Sequence, residues 1–168
     1  MGSNLGDRLA TLRAAVRELD ERGTKVVATS AVFECKALVL ADADPQPEFL
    51  NAVIVLATEL AAAELLERLL AIERAHGRVR APGERWTARS LDLDLLAYVP
   101  SGATQSVELD EPTLVLPHPR AGERDFVLAP LAEVAPTLVL AGHTVADRLA
   151  SLPIGARTVL RRLPDALR

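Results

Sequence analysis

The chain has 168 residues, of which 49% are hydrophobic, and its 19 basic and 23 acidic residues give a formal net charge of −4. This length supports one domain with a substantial core, residues 1–168, and the acidic balance argues against nucleic-acid binding. The single cysteine excludes an internal disulfide, and no apolar run approaches the ~18 residues of a membrane span. Because no signal-peptide pattern opens the sequence, we expect a cytoplasmic protein, and we expect a monomer.

The first half of the chain predicts two helices and two strands. Asp7 is a suitable N-cap, and the apolar residues that follow it at spacings of three and four predict a helix that ends at Gly23. Residues 25–34 and 49–58 predict strands, because runs rich in β-branched and apolar residues suit a buried sheet. A stripe of leucine and isoleucine predicts a second helix over residues 61–76.

The second half predicts shorter elements. Residues 78–89 are polar and basic and contain Pro82-Gly83, which indicates a mobile surface loop. The elements predicted after this loop are a strand over 91–98, short edge strands within 107–116, a helix over 125–134, a strand over 138–140, a helix over 144–152 and a strand over 158–160. The whole order resembles an α+β sandwich of the ferredoxin-like βαββαβ type that lacks its first strand.

The sharpest pattern is the pair Asp92 and Asp94 in the predicted strand 91–98. Residues two apart in a strand share a face, so both carboxylates project together while the neighbouring leucines enter the core. Two carboxylates this close repel each other unless a cation lies between them, and Mg²⁺ prefers oxygen ligands and usually serves with phosphate substrates. The alternative is an edge strand with a solvated acidic face, because acidic side chains are mostly exposed.

A cluster of cationic residues lies just upstream. Arg78, Arg80, Arg85 and Arg89 surround Trp86, the single tryptophan of the sequence. Guanidinium groups match phosphate oxygens in pairs, and a phosphoryl-transfer transition state spreads negative charge over several oxygens. A solubilising loop is the alternative, but a tryptophan adds nothing to solubility, whereas it can stack on a flat ring or on a guanidinium.

Two polar residues occur where apolar ones are expected. Glu73 lies near the end of the apolar stripe of helix 61–76, where its carboxylate could point into a site or simply reach the surface. Asn51 interrupts the apolar strand 49–58. A buried amide needs partners, and these could be a ligand with a donor–acceptor edge or backbone groups.

A second group of phosphate-binding candidates follows the edge strands. His118 lies between two prolines, which indicates a stiff loop, and Arg120 and Arg124 come soon after it. A lone histidine is more often a structural hydrogen bonder than a catalyst. The sequence has no Gly-rich phosphate-binding loop, so ATP would have to bind through metal ions and arginines.

Together these stretches make the chain resemble the 6-hydroxymethyl-7,8-dihydropterin pyrophosphokinases, enzymes of folate biosynthesis. Each motif is weak alone, and their combination in the family's order over nearly the whole chain is highly specific. The matching motifs are Gly2-Ser3-Asn4-Leu5-Gly6-Asp7, Phe49-Leu50-Asn51-Ala52, Glu73 with Gly77-Arg78-Val79-Arg80, Glu84-Arg85-Trp86, Arg89-Ser90-Leu91-Asp92-Leu93-Asp94, Leu116-Pro117-His118-Pro119-Arg120 and Glu123-Arg124-Asp125-Phe126.

The resemblance implies a Mg²⁺-dependent diphosphotransferase that transfers pyrophosphate from ATP to 6-hydroxymethyl-7,8-dihydropterin. It implies that the pterin hydroxymethyl oxygen attacks the β-phosphorus and that AMP leaves. It also implies that Asp92 and Asp94 hold two Mg²⁺ ions that bridge the phosphates of ATP, the co-substrate. The implied partners are therefore ATP and the pterin, without nucleic acid or membrane.

The resemblance further implies a role for each candidate residue. The implied catalytic residues are Arg78, Arg89, Asp92 and Asp94. The implied ATP contacts are Arg80, Trp86, Arg89, His118, Arg120 and Arg124. The implied pterin contacts are Phe49, Asn51, Glu73, Asp92 and Phe126, of which the two phenylalanines stack on the ring. Trp86 would lie on a loop that closes over the reactants and excludes water.

Three features depart from the family's pattern. The family has a hydrophobic strand directly before Gly2-Ser3-Asn4, so we expect a misassigned start codon and a native protein that begins upstream of Met1. Residues 33–40 lack the usual threonine, proline and glycine, and their loop is longer. Thr113 stands where an arginine near the nucleotide is common.

Three alternatives stay open. An inactive relative that still binds nucleotide or pterin would keep these motifs without turnover. A small regulatory ligand-binding domain of similar architecture has no need of Asp92, Asp94 and the arginine cluster together. A kinase for another hydroxylated heterocycle would fit the altered segment 35–48, which lies near the expected pterin pocket.

Overall fold

The core forms where helices cover antiparallel sheets, which makes the architecture α+β. The computed structural model describes residues 1–21, 23–38, 45–77, 88–103, 105–163 and 167. Within these ranges the chain forms four α-helices, two short 3-10 turns and one four-stranded and three two-stranded sheets. In the part of the chain that is described, no helix is long and apolar enough to cross a membrane.

The two long helices follow the prediction closely. Helix α1 (Arg8–Leu19) begins after Asp7, whose Oδ1 accepts a hydrogen bond from the Ala10 amide at 3.0 Å. Helix α2 (Ala62–Ala75) ends before Gly77, which has a φ of +82° that a residue with a side chain rarely adopts. Both helices bury their apolar stripes in one core cluster together with Leu91 and Leu93.

The strand predicted over 25–34 and the strand predicted over 49–58 are each broken in two. The first divides into β2 (Thr24–Thr29) and β3 (Val32–Cys35), the second into β4 (Phe49–Asn51) and β5 (Ile54–Thr58). The breaks face each other, because Ser30 Oγ accepts a hydrogen bond from the Val53 amide at 2.9 Å. A side-chain oxygen there takes the place of a backbone acceptor and interrupts the ladder.

The break separates two sheets. Strands β2 and β5 pair with each other, while β3 and β4 join a four-stranded antiparallel sheet. Its other members are β1 (Gly2–Ser3), which the sequence did not predict, and β10 (Val159–Leu163), predicted over 158–160. The sheet order is β1-β4-β3-β10, so both ends of the described chain lie at its two edges.

The prediction of a strand over 91–98 is wrong. The structure shows one isolated bridge there, between Gly2 and Asp92, with two hydrogen bonds of 2.8 Å. The backbone of this segment is bonded to side chains and loops instead, because Leu93 N donates to Glu73 Oε1 and Tyr98 N donates to Ser106 Oγ. Leu91 and Leu93 nevertheless enter the core as predicted, with 0% and 5% exposure.

The remaining predicted elements are present. They are the hairpin β6 (Leu109–Glu111) and β7 (Leu114–Leu116), helix α3 (Asp125–Val134), strand β8 (Val139–Leu140) with the unpredicted β9 (His143–Thr144), and helix α4 (Val145–Ser151). Helices α3 and α4 bury Leu128, Leu131 and Val145 in a second core cluster. This cluster supports the start of α3, where two of the candidate site residues lie.

Two cavities open between these elements. The polar cavity, of about 290 Å³, lies at the β1–β4 edge of the four-stranded sheet beside Asp92, Asp94 and Arg124. The apolar cavity, of about 560 Å³, lies between β5 and residues 93–99 and is walled by leucines of α2. The two cavities differ in the chemistry of their walls, and among the described candidate residues Asp94 lines both.

Candidate active site

The polar cavity brings together candidate side chains from four separate parts of the chain. Eight of the residues predicted as site residues line it: Phe49, Asn51, Arg89, Asp92, Asp94, His118, Arg124 and Phe126. They come from β4, from the segment 89–94, from the loop after β7 and from the start of α3. Residues spread over 78 positions of sequence (49 to 126) thus meet at one site.

The two aspartates lie at the wall that continues from β1. Asp92 is fixed by its backbone bridge to Gly2, and its Oδ1 accepts a hydrogen bond from Arg89 Nη1 at 3.0 Å. The side chains of Asp92 and Arg89 are 23% and 22% exposed, so this ion pair is only partly screened by solvent. Arg89 offsets part of the repulsion between Asp92 and Asp94, and its guanidinium has further donors for a phosphate.

The guanidinium of Arg124 is suited to binding an anion. Its Nε is buried, and among the described residues it has no hydrogen-bond partner. Burial and, next, the charge of Arg120 lower the pKa of Arg124, while Asp94 and Asp92 act in the opposite direction. A buried donor without an acceptor is costly, and a phosphate oxygen in the cavity would satisfy it. The guanidinium also lies over the ring of Phe126, 5.5 Å from its centroid.

Phe49 and Asn51 occupy one face of β4 beside β1. Strand β1 pairs with β4 so closely that a side chain at Gly2 would place its Cβ 2.7 Å from Asn51 Oδ1. Glycine is therefore required at position 2 to leave the Asn51 amide in place.

The thiol of Cys35 lies on the neighbouring strand β3. Burial raises the pKa of this thiol to about 12, while a hydrogen bond with Asn51 acts in the opposite direction. The thiol is therefore inert at neutral pH.

Glu73 lies behind the cavity wall rather than in it. The residue is 1% exposed, and its Oε1 accepts a hydrogen bond from the Leu93 amide at 2.7 Å. Leu93 stands between the two aspartates, so Glu73 supports the segment that carries them. A direct contact between Glu73 and a ligand stays a prediction.

The other predicted residues are not placed in the wall by the structure. Arg120 is exposed, does not line the polar cavity and has its Nε 3.9 Å from Glu123 Oε2. Arg78, Arg80, Arg85 and Trp86 lie outside the described residues. Their roles therefore stay predictions.

The cavity wall includes residues that were not named as site residues from the sequence, among them Lys36, Leu38 and Gln46. They belong to the segment 35–48, which was expected near the pterin pocket but in which no single residue was named. Lys36 is a cation on the same cavity as Asp92 and Asp94, which suits an anionic ligand. The sequence position of Lys36 could have indicated its place in the wall. Lys36 directly follows β3, and β3 pairs with β4, the strand that carries Phe49 and Asn51.

The donor set fits Mg²⁺ that arrives with a phosphate ligand. Within the described ranges, no group of three or more His, Cys, Asp or Glu side chains could hold a metal ion alone. Mg²⁺ typically binds through one or two carboxylates and completes its shell with water and substrate phosphates. Asp92 and Asp94 supply two carboxylates, and Arg89, His118 and Arg124 supply groups for the phosphates.

Comparison with known proteins shows the family of the chain. A sequence profile of the 7,8-dihydro-6-hydroxymethylpterin-pyrophosphokinase family matches residues 1–136. The chain is similar to proteins named 2-amino-4-hydroxy-6-hydroxymethyldihydropteridine pyrophosphokinase from three bacteria. Identity is 45% over 161 residues for Methylorubrum extorquens, covering 95% of each chain. It is 39% over 168 residues for Pseudomonas aeruginosa, covering 99% of this chain and 95% of that one. Identity with the Haemophilus influenzae protein is 36% over 150 residues, covering 89% of this chain and 87% of that one. A match of this extent over most of the sequence shows that the chain belongs to the 7,8-dihydro-6-hydroxymethylpterin-pyrophosphokinase family.

Proposed function

We propose that this pyrophosphokinase of folate biosynthesis carries out its reaction in the polar cavity, where ATP and 6-hydroxymethyl-7,8-dihydropterin bind together. The observation that carries the proposal is the meeting of Asp92 and Asp94 with Arg89, Arg124 and two aromatic rings at one cavity. The products are the pterin diphosphate and AMP. The ferredoxin-like sandwich, the cytoplasmic location and the monomeric state belong to this proposal.

The aspartates would hold two Mg²⁺ ions. When bound, these ions neutralise charge on the ATP phosphates. Asp92 and Asp94 lie on a segment that is held by backbone bonds to Gly2 and by the Glu73–Leu93 hydrogen bond. Such support fixes the carboxylates before the reactants arrive, which lowers the reorganisation that the reaction requires.

The cationic side chains would orient the phosphates. Arg89 reaches Asp92, which places its guanidinium at the cavity wall, and Arg124 offers its Nε, which has no hydrogen-bond partner among the described residues. His118 lies on the same wall, and its amide is held by the Leu96 carbonyl at 2.8 Å. These groups place the β-phosphorus in line with the attacking oxygen, so that the new O–P bond forms as the bond to AMP breaks.

The aromatic part of the cavity would hold the pterin. Phe49 and Phe126 both line it, and a flat ring between them would gain stacking contacts. The Asn51 amide, kept in place by Gly2, can both donate to and accept from the ring edge. Arg78, Arg80, Trp86, Arg120 and Glu73 complete the proposed set as further contacts of ATP or of the pterin.

The test is AMP formation. The purified protein is incubated with ATP, Mg²⁺ and 6-hydroxymethyl-7,8-dihydropterin, and AMP is followed by chromatography beside Asp92→Ala and Asp94→Ala variants. We expect pterin-dependent AMP, and a loss of about 10²–10³-fold in kcat/KM in each variant, because a missing carboxylate would weaken binding of the Mg²⁺ that balances the transition-state charge.

The matched control is Asp110→Ala, which removes an exposed carboxylate of β6 outside the polar cavity and should leave kcat/KM unchanged. AMP formation that does not depend on the pterin, or variants of full activity, would contradict the proposal.

A further inference from the structure

Asn4 is buried, with 2% exposure, and contacts two segments that are far from it in sequence. Its side-chain Oδ1 accepts a hydrogen bond from the backbone amide of Arg89 at 2.7 Å. The backbone amide of Asn4 donates to the Arg89 carbonyl at 3.1 Å. Its Nδ2 donates to the Pro47 carbonyl at 3.2 Å and to Gln46 Oε1 at 3.4 Å. One side chain therefore joins the segment of Arg89 to the segment 46–47.

Both segments line the polar cavity, whereas Asn4 does not. Arg89 and Gln46 are part of the cavity wall, and Asn4 lies behind them. Because both backbone groups of Arg89 are bonded to Asn4, the starting point of the Arg89 side chain is fixed. From there its Nη1 reaches Asp92 Oδ1 at 3.0 Å. The second contact fixes the chain just before Phe49, which lines the same cavity.

We infer that Asn4 is a positioning residue of the reaction: its Oδ1 holds Arg89 beside the aspartates, and its Nδ2 holds Gln46 and Pro47 beside the pterin. The inference rests on the proposed function, because that function assigns Arg89 to the phosphates and the neighbourhood of Phe49 to the pterin. Asn4 touches neither reactant, so its effect passes through the two segments.

Two substitutions separate the two contacts. Asn4→Asp keeps an acceptor for the Arg89 amide. It replaces the Nδ2 donor by a second oxygen, so the hydrogen bonds to Pro47 O and Gln46 Oε1 are lost. We expect the KM for the pterin to rise about tenfold, with kcat and the KM for ATP within about twofold. Asn4→Ala removes both contacts, and kcat should in addition fall about tenfold.

A readout that needs no activity accompanies the kinetics. The exchange rate of the Arg89 amide hydrogen, followed by NMR, should rise at least about tenfold in Asn4→Ala and stay close to the original value in Asn4→Asp. If the unsubstituted protein forms no AMP, the proposed function fails. The exchange of Arg89 then still shows whether Asn4 fixes this segment.

The control is Thr24→Val, which removes another buried hydrogen bond, from Thr24 Oγ1 to the Leu19 carbonyl at 2.5 Å, remote from the polar cavity. It should lower the melting temperature without changing kcat or either KM. The inference is overturned if folded Asn4→Ala keeps all kinetic constants within about twofold, or if Thr24→Val reproduces its kinetic losses. Where Asn4→Ala fails to fold, Asn4→Asp decides, and an equal rise in both KM values would overturn the inference.

Discussion

The walls of the two cavities are organised differently. Around the polar cavity, buried polar side chains form hydrogen bonds between segments that are far apart in sequence: Asn4 with 46–47 and 89, and Asp125 with 158–159. Around the apolar cavity, the walls are mostly Val, Leu, Ile and Ala side chains of β5, α2 and residues 93–99.

This difference shows what each region can tolerate. Hydrogen bonds are directional, so a buried bond fixes the position of the segments it joins and is expensive to break. Apolar contacts are roughly proportional to area and lack direction, so a loosely packed wall accepts changes in shape. At the polar cavity, substitutions should therefore act by displacing the hydrogen-bonded segments. At the apolar cavity, they should act through the change in side-chain volume.

The largest effect on stability is expected at Asp125. This residue is 3% exposed, and its carboxylate accepts three hydrogen bonds of 2.5–2.8 Å from Thr158 and the Val159 amide. Asp125→Ala should lower the free energy of unfolding by roughly 3 kcal/mol, because buried donors lose a charged acceptor. Thr158→Val, which removes one of the three bonds, should cost about 1 kcal/mol. Urea unfolding measures both, and equal costs would show that the bonds are not the cause.

An intermediate effect compares the same substitution beside the apolar cavity and in the buried core. Val55→Ile adds a methyl group beside the apolar cavity, and Val32→Ile adds the same group to a strand residue with 0% exposure. We expect Val55→Ile to stabilise the fold by about 0.8 kcal/mol and Val32→Ile to destabilise it by roughly 1 kcal/mol or more. Urea unfolding tests this, and a destabilisation at both positions would show that the wall of the apolar cavity is packed as closely as the core around Val32.

The smallest effect concerns the pH dependence of stability. Burial alone would raise the pKa of Glu34, but hydrogen bonds and the charges of Arg161 and Arg8 outweigh it and lower this pKa below 4.5. The contribution of Glu34 is therefore complete above pH 4.5 and is lost as the pH falls through the lowered value. Glu34→Gln should remove about 1 kcal/mol of the difference between neutral and acidic pH, because Arg161 is largely exposed.

The matched control for this pH experiment is Glu59→Gln, which changes an exposed glutamate beyond the end of β5. Chemical unfolding from pH 7 to about pH 3 gives both curves. A Glu34→Gln curve parallel to that of the unsubstituted protein would show that the Arg8–Glu34–Arg161 cluster contributes nothing that depends on protonation.

The sequence by itself determined the helices, the hairpin and part of the wall of the polar cavity. The capping residue Asp7 and the apolar stripes of α1 and α2 are local signals, so they could be read without tertiary contacts. The residues of the polar cavity were recognisable because carboxylates, arginines and rings have chemical uses that their types reveal. Eight residues that were named as candidates from the sequence line this cavity.

Tertiary structure alone decided where strands break and which residues only support the site. The interruption at Ser30 and Val53 depends on a contact between residues 23 positions apart, and the irregular segment 93–98 depends on bonds to Glu73 and Ser106. Such bonds compete with the sheet ladder, and a local pattern does not contain them. The contacts of Asn4 with Arg89 and Gln46 are likewise long-range, so the motif that contains Asn4 did not reveal them. Lys36 and Gln46 reach the cavity wall through the same long-range packing.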